Sequence, residues 1–132
     1  MQQPRFLNFS CPAFFVLVLL IFIFAGCGSN PILIGFSGPL TGMYSDLGVQ
    51  GRNGAILAVE EINSQGGVAQ RKLELIARDD CCSAQEARKA DRELIQKNVA
   101  AIVGHMTSSR SVAALPVVQE AGLVMLSPTT ST

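Results

Sequence analysis

The chain has 132 residues, 48% of them hydrophobic, and its ten basic and ten acidic side chains give a formal net charge of zero. That length and apolar content suit one domain with a packed core and exclude a disordered chain. The charges are interspersed, which excludes the one-sided basic face of a nucleic-acid-binding protein and a polybasic membrane patch, so no nucleic acid is expected as a partner.

Residues 11–25 read CPAFFVLVLLIFIFA without a charge. Arg5 and the amino terminus form a positive region, residues 13–24 an unbroken apolar one, and Ala25-Gly26 place small residues before Cys27, the three parts of a secretory signal. The apolar core is shorter than the roughly 20 residues a spanning helix needs, so residues 1–26 are expected to be a signal peptide removed after export. Phe24-Ala25-Gly26-Cys27 resembles a bacterial lipobox, although lipoboxes usually carry Leu where Phe24 stands. That resemblance implies lipidation of Cys27, with residues 27–31 as a tether.

From residue 32 onward, short apolar runs alternate with longer amphipathic ones. Residues 32–37 (ILIGFS) are too short for a helix and rich in β-branched side chains, which predicts a buried strand. A glycine-punctuated loop covers 38–47. Across 48–63, Ala55, Ile56, Val59 and Ile62 recur at helical spacing, and Gly66-Gly67 stop the helix. Residues 72–77 (KLELIA) make a second strand leading into Asp79-Asp80. Ser83 and Glu86 have the spacing of a capping box and open a second helix with Ala87, Ala90, Leu94 and Ile95 on its apolar stripe. Residues 100–104 (AAIVG) predict a third strand. Ser108 or Ser109 then caps a third helix, buried through Val112, Ala113, Val117 and Ala121 and kinked at Pro116. Residues 124–126 make a fourth strand and 127–132 a loop.

The order β-α-β-α-β-α-β predicts an α/β fold, an open parallel sheet with helices on both faces. Such sheets bind ligands beyond the carboxyl ends of their strands, so loops 38–47, 79–82, 104–109 and 127–132 form the candidate site. No helix follows the fourth strand to cover that side of the sheet, so the sequence reads as an incomplete domain.

Five segments in order carry a family resemblance: Gly35-Phe36-Ser37-Gly38-Pro39-Leu40-Thr41-Gly42; Ala58-Val59-Glu60-Glu61-Ile62-Asn63 with Gly66-Gly67; Asp79-Asp80; Gly104-His105 with Ser108-Ser109; and Leu126-Ser127-Pro128. Together they resemble the periplasmic (type I) leucine/isoleucine/valine-binding proteins, the substrate-binding components of branched-chain amino-acid ABC transporters. The resemblance implies a fold of two α/β lobes with the ligand between them, residues 32–132 being part of the N-terminal lobe. Carried over by position, Ser108 resembles the residue whose hydroxyl and backbone bind the ligand carboxylate. Thr129 and Ser131 resemble the pair that contacts the ammonium and carboxylate, Tyr44 lies near an aromatic that lines the side-chain pocket, and Thr107 joins the ligand-binding set. The family often has a smaller residue in place of Thr129 and threonine in place of Ser131. From the residues alone, Ser108 is either a helix cap or a hydroxyl donor to an anion at the positive end of a helix.

In some relatives a cysteine matching Cys82 pairs with one at the position of Thr107, a bridge that cannot form here. Cys81 and Cys82 are expected to be structural or unpaired. No further ligands stand at metal-binding spacing, so neither metal nor cofactor is expected. His105, the only histidine, has no G-x-S-x-G nucleophile elbow to serve and reads as a hydrogen-bonding loop residue. Gly35 and Gly38 do not complete a dinucleotide fingerprint, and no enzymatic activity is expected.

The resemblance thus implies an extracytoplasmic protein that captures an amino acid, branched-chain or a related small carboxylate, for an ABC importer. Its implied partners are that small molecule and a permease in the inner membrane. Its implied location is the cell envelope, on the periplasmic or extracellular face, as a membrane-anchored lipoprotein. The alternative left open is the ligand-binding sensor domain of a membrane receptor or kinase. In a bacterial host, Cys27→Ala is expected to abolish incorporation of labelled fatty acid and either free the protein from membranes or block its processing. Equal labelling of parent and variant would reject Cys27 as the anchor.

Overall fold

A computed structural model describes residues 30–131; the expected signal peptide 1–26 and the expected lipidation site Cys27 lie outside the described residues. Strands and helices alternate as β1 (Ile32–Gly38), α1 (Ser45–Ser64), β2 (Leu73–Asp79), α2 (Ala84–Gln96), β3 (Ala101–Gly104), α3 (Ser108–Glu120) and β4 (Val124–Leu126). The four strands form one sheet in the order β2-β1-β3-β4, every pair parallel. Ile34 stands beside Leu75 and Ala101, and Val103 beside Leu126. The expected open parallel sheet with helices on both faces is the fold observed.

The period of two along a strand divides the apolar residues between the faces. Leu33, Ile76 and Met125 pack against a core of Leu94, Val99, Ile102 and Val118, which joins the sheet to α2 and α3. The next residues along, Ile34, Leu75, Val103 and Leu126, turn to the opposite face. There they line an apolar cavity of about 580 Å³ with Gly51, Ala55 and Val59 of α1. Runs that are apolar on both sides, such as ILIGF, are what a strand covered on two faces requires. At Gly35 a Cβ would come within 3.0 Å of Leu94 Cδ1, so the missing side chain lets α2 lie close over β1.

Four local expectations are corrected. Helix α1 begins at Ser45 rather than 48 and takes Gly48 into its first turn, where a Cβ would lie 1.8 Å from the Pro39 carbonyl oxygen; glycine permits close approach there instead of breaking the helix. Ser83 does cap α2, accepting from Gln85 N at 3.3 Å, but the capping box is not completed. The Ser83 N–H is already donated to Asp80 O at 2.8 Å, and Glu86 pairs instead with Lys89 at 3.1 Å. Helix α3 is preceded by Thr107 as N-cap, with no side-chain capping bond, so neither Ser108 nor Ser109 is the cap. Its buried side chains are Ser111, Ala114 and Val118, whereas Val112 is 70% exposed. The helix is rotated from the expected stripe because the Ser111 hydroxyl is drawn inward to Ser127 Oγ at 2.9 Å and Thr107 O at 3.2 Å. The same helix runs on through Pro116 to Glu120.

Leu94 is fully buried where α2, α3 and the sheet meet. Leu94→Ala is expected to cost about 2–5 kcal/mol, the range for cavity-forming truncations, read as a lowered midpoint in urea denaturation with unchanged slope. A loss under about 0.5 kcal/mol would show that this junction does not carry the fold.

Candidate functional site

The loops that follow the strands gather at one end of the sheet and are held by two adjacent carboxylates. Asp79, the last residue of β2, receives Leu40 N at 2.8 Å and Cys81 N at 2.8 Å on Oδ1, and the Thr41 hydroxyl at 2.5 Å on Oδ2. It therefore ties the β1–α1 loop to the β2–α2 loop. Slight burial opposes ionisation, but the donors Thr41, Cys81 and Leu40 prevail and hold its carboxyl below the usual value of 3.8.

Asp80 points the other way, into the protein. Its Oδ1 accepts Cys82 N at 2.9 Å and its Oδ2 lies 2.8 Å from His105 Nδ1. The second ring nitrogen, Nε2, is 3.3 Å from Asp91 Oδ2, and the Ser37 hydroxyl is 3.4 Å from Nδ1. Ser37, Asp80, Asp91 and His105 are all completely buried. Burial on its own would lower the histidine pKa, but hydrogen bonds to Asp80 and Asp91 and their negative charges raise it from 6.5 to about 9. The imidazole is thus protonated at neutral pH and donates from both nitrogens. Gly104 lets it sit there: its φ is +142°, and a Cβ would fall 2.0 Å from Ser37 O.

The residues expected to bind ligand lie on these loops, and the structure relates them unequally. The Ser108 hydroxyl donates to Ser131 O at 3.0 Å and accepts from Ser131 N at 3.2 Å, so these two are brought into direct contact. Thr129 donates its hydroxyl to Met106 O at 2.8 Å and borders the apolar cavity. Thr107 contributes its carbonyl, which accepts from Arg110 N and Ser111 N. Tyr44 is 45% exposed just before α1, and no hydrogen bond among the described residues joins its side chain to the other four. Ser127 closes the group, donating to His105 O at 2.6 Å.

A periplasmic binding protein family profile matches residues 31–132. The chain belongs to that family. Among its relatives, an amino acid binding protein of Pseudomonas aeruginosa is 37% identical over 98 residues, 74% of this chain and 26% of the relative. A leucine-, isoleucine-, valine-, threonine-, and alanine-binding protein of the same organism is 33% identical over 100 residues, 76% of this chain and 27% of the relative. Among solved structures, the branched-chain amino acid transporter substrate binding protein LivJ from Streptococcus pneumoniae, in complex with isoleucine, aligns with a TM-score of 0.75 and 33% identity. That alignment covers 77% of this chain and 30% of LivJ. The chain therefore spans between a quarter and a third of the length of these family members.

Within this family member, the groups that fix the site's geometry are mostly ones that sequence reasoning passed over. Asp91 lies with Ala87, Ala90 and Leu94 on the buried face of α2, and an acid on an apolar stripe is a legible sign of a buried partner. Arg110 donates to Ser109 Oγ at 2.7 Å and to the carbonyl of Cys82, joining α3 to the β2–α2 loop. The ring of His105 does more than an ordinary loop histidine, since it cross-links two acids.

Because the folded pKa of His105 lies above the unfolded value, its stabilisation is complete below about pH 6.5 and is lost as pH rises toward about 9. Asp79 has the opposite sign, and its contribution is lost in acid as pH falls below 3.8. Chemical denaturation across this range is expected to show falling stability between pH 6.5 and 9, and His105→Gln to flatten that fall. At pH 6 the variant is expected to be less stable by about 3–5 kcal/mol, because two buried carboxylates lose their cation. A variant with the parent's alkaline slope would remove His105 as its source.

Proposed function

We propose that the chain forms the ligand-capturing first lobe of an extracytoplasmic solute-binding protein for an ABC importer. Its ligand is an amino acid, branched-chain in the first instance, which it passes unaltered to a permease in the inner membrane. Export directed by residues 1–26 and a lipid on Cys27 hold it at the envelope surface. The specificities of relatives, for leucine, isoleucine and valine among others, support the ligand class.

The observation that carries this reading is the mouth of α3. Thr107 leaves the helix without a side-chain cap, and the hydroxyl of Ser108, the first helical residue, stands at that end. The first N–H groups of a helix and its positive dipole end favour an anion. A ligand carboxylate supplies one, with the Ser108 hydroxyl as a further donor. Ser131 touches Ser108 there, Thr129 is held to Met106 O in the turn before the helix, and both carry oxygens suited to an ammonium.

In a two-lobed form of the protein, Ser108→Ala is expected to weaken amino-acid binding on the order of 10- to 100-fold, since hydrogen bonds to charged groups contribute roughly 1.5–3 kcal/mol. Calorimetric titration with leucine, isoleucine and valine, paired with thermal melts, separates binding from stability. An affinity within about threefold of the parent, with a lowered melting midpoint, would reduce Ser108 to a structural residue. The 132-residue chain alone is expected to bind no more tightly than roughly millimolar, because one wall cannot exclude water from the ligand's charges.

A further inference from the structure

Cys81 and Cys82 are adjacent free thiols on the β2–α2 loop, Cys81 exposed and Cys82 half-buried. They are the only cysteines among the described residues, so within that region each has only its neighbour as a disulfide partner. Both hold left-handed backbone conformations, φ 45° and 55°. Their amides are spoken for by Asp79 and Asp80, and the Cys82 carbonyl by Arg110. An extracytoplasmic location exposes such thiols to oxidation. The inference takes only the presence of an oxidant from the function proposed above.

We infer that Cys81 and Cys82 form a reversible redox pair, closed to a vicinal disulfide by a small-molecule or protein disulfide, and that closure releases their loop from Asp79 and Asp80. The exposed Cys81, as thiolate, attacks one sulfur of the oxidant; the oxidant's S–S bond breaks and one thiolate leaves. Cys82, as thiolate, then attacks Cys81 Sγ and displaces the second. The two cysteines lose two protons and two electrons, and the oxidant is reduced to two thiols.

Geometry makes the bond labile and couples it to the loop. Consecutive Cα atoms are about 3.8 Å apart across a trans peptide, whereas unstrained disulfides need roughly 4.4 Å or more. Closure therefore distorts the 81–82 peptide unit, and its flanking amides cannot all keep their present partners. Strained, exposed disulfides are the readily reduced ones.

The test uses the full chain in glutathione buffers of graded oxidised-to-reduced ratio, quenched in acid, alkylated and digested with trypsin. Cleavage after Arg78 and Arg88 yields residues 79–88, which hold both cysteines and no other. In oxidising buffer this peptide is expected to lack alkyl groups and to be lighter than its reduced form by two hydrogens. In Cys81→Ser and Cys82→Ser the remaining thiol is expected to carry glutathione instead. Hydrogen exchange at the Cys81 and Cys82 amides is expected to quicken on the order of tenfold on oxidation. Both thiols alkylated at every ratio, or only glutathione adducts or intermolecular bridges in the parent, would overturn the redox pair. A closed disulfide with unchanged exchange would overturn its coupling to the loop. Cell fractionation reads the extracytoplasmic location separately, so either reading can fail without the other.

Discussion

A protonated histidine fixed between two carboxylates in the interior sets the geometry of this lobe. Charges taken out of water are costly unless paired and hydrogen-bonded, and His105 meets that condition with Asp80 on one nitrogen and Asp91 on the other. The three residues belong to different elements: the turn after β2, the middle of α2 and the turn after β3. Ser37 adds β1 to the same cluster. Displacing any of the three elements that carry Asp80, Asp91 and His105 would strand a charge, so the cluster demands one arrangement of the loops where apolar packing alone would tolerate several. Asp91 Oδ1 is the one oxygen of the cluster without a partner among the described residues.

That demand is transmitted outward. Asp79, next in the chain to Asp80, faces the opposite way and secures the β1–α1 loop through Leu40 and Thr41. Ser127 and Thr129 bring in the last loop by donating to the carbonyls of His105 and Met106. The two faces of the sheet differ in kind. On the α2–α3 side, Leu94, Ile102 and Val118 are closed to solvent, while on the α1 side Ile34, Leu75 and Val103 border open apolar volume. Close packing is thus concentrated on one face, and polar cross-links at the carboxyl ends of the strands.

The alternation of elements was legible because the two periodicities are distinct: ILIGFS cannot complete a helix, and Ala87, Ala90 and Leu94 cannot share one face of a strand. Helix α3 was misread by one position because apolar residues crowd it. Ala113 and Ala114, like Val117 and Val118, are interchangeable to a periodicity argument, and the choice is made by the Ser111 hydroxyl and its tertiary partner Ser127. Gly48 looked like a boundary because its reason, the Pro39 carbonyl, lies nine residues back across a loop. That the four loops gather at one end of the sheet was legible, since parallel strands all deliver their following loops to the same end. The bonds within the candidate site were not. His105 finds acids 25 and 14 residues away, separations that no local pattern encodes.

If a ligand carboxylate is received at the mouth of α3 as proposed above, the contact between Ser108 and Ser131 bears on its affinity. A hydroxyl has a single proton to give, and that of Ser108 is engaged by Ser131 O. An anion that claimed it would first have to displace the loop of residues 127–131 from Ser108. Apparent affinity for such a ligand equals the intrinsic affinity scaled by the fraction of molecules whose loop is already released. On that proposal, substitutions in residues 127–131 that favour the released state would tighten binding without touching the ligand, and those that lock the loop would weaken it. Residues 127–131 and the ligand would then compete for one and the same proton, that of Ser108.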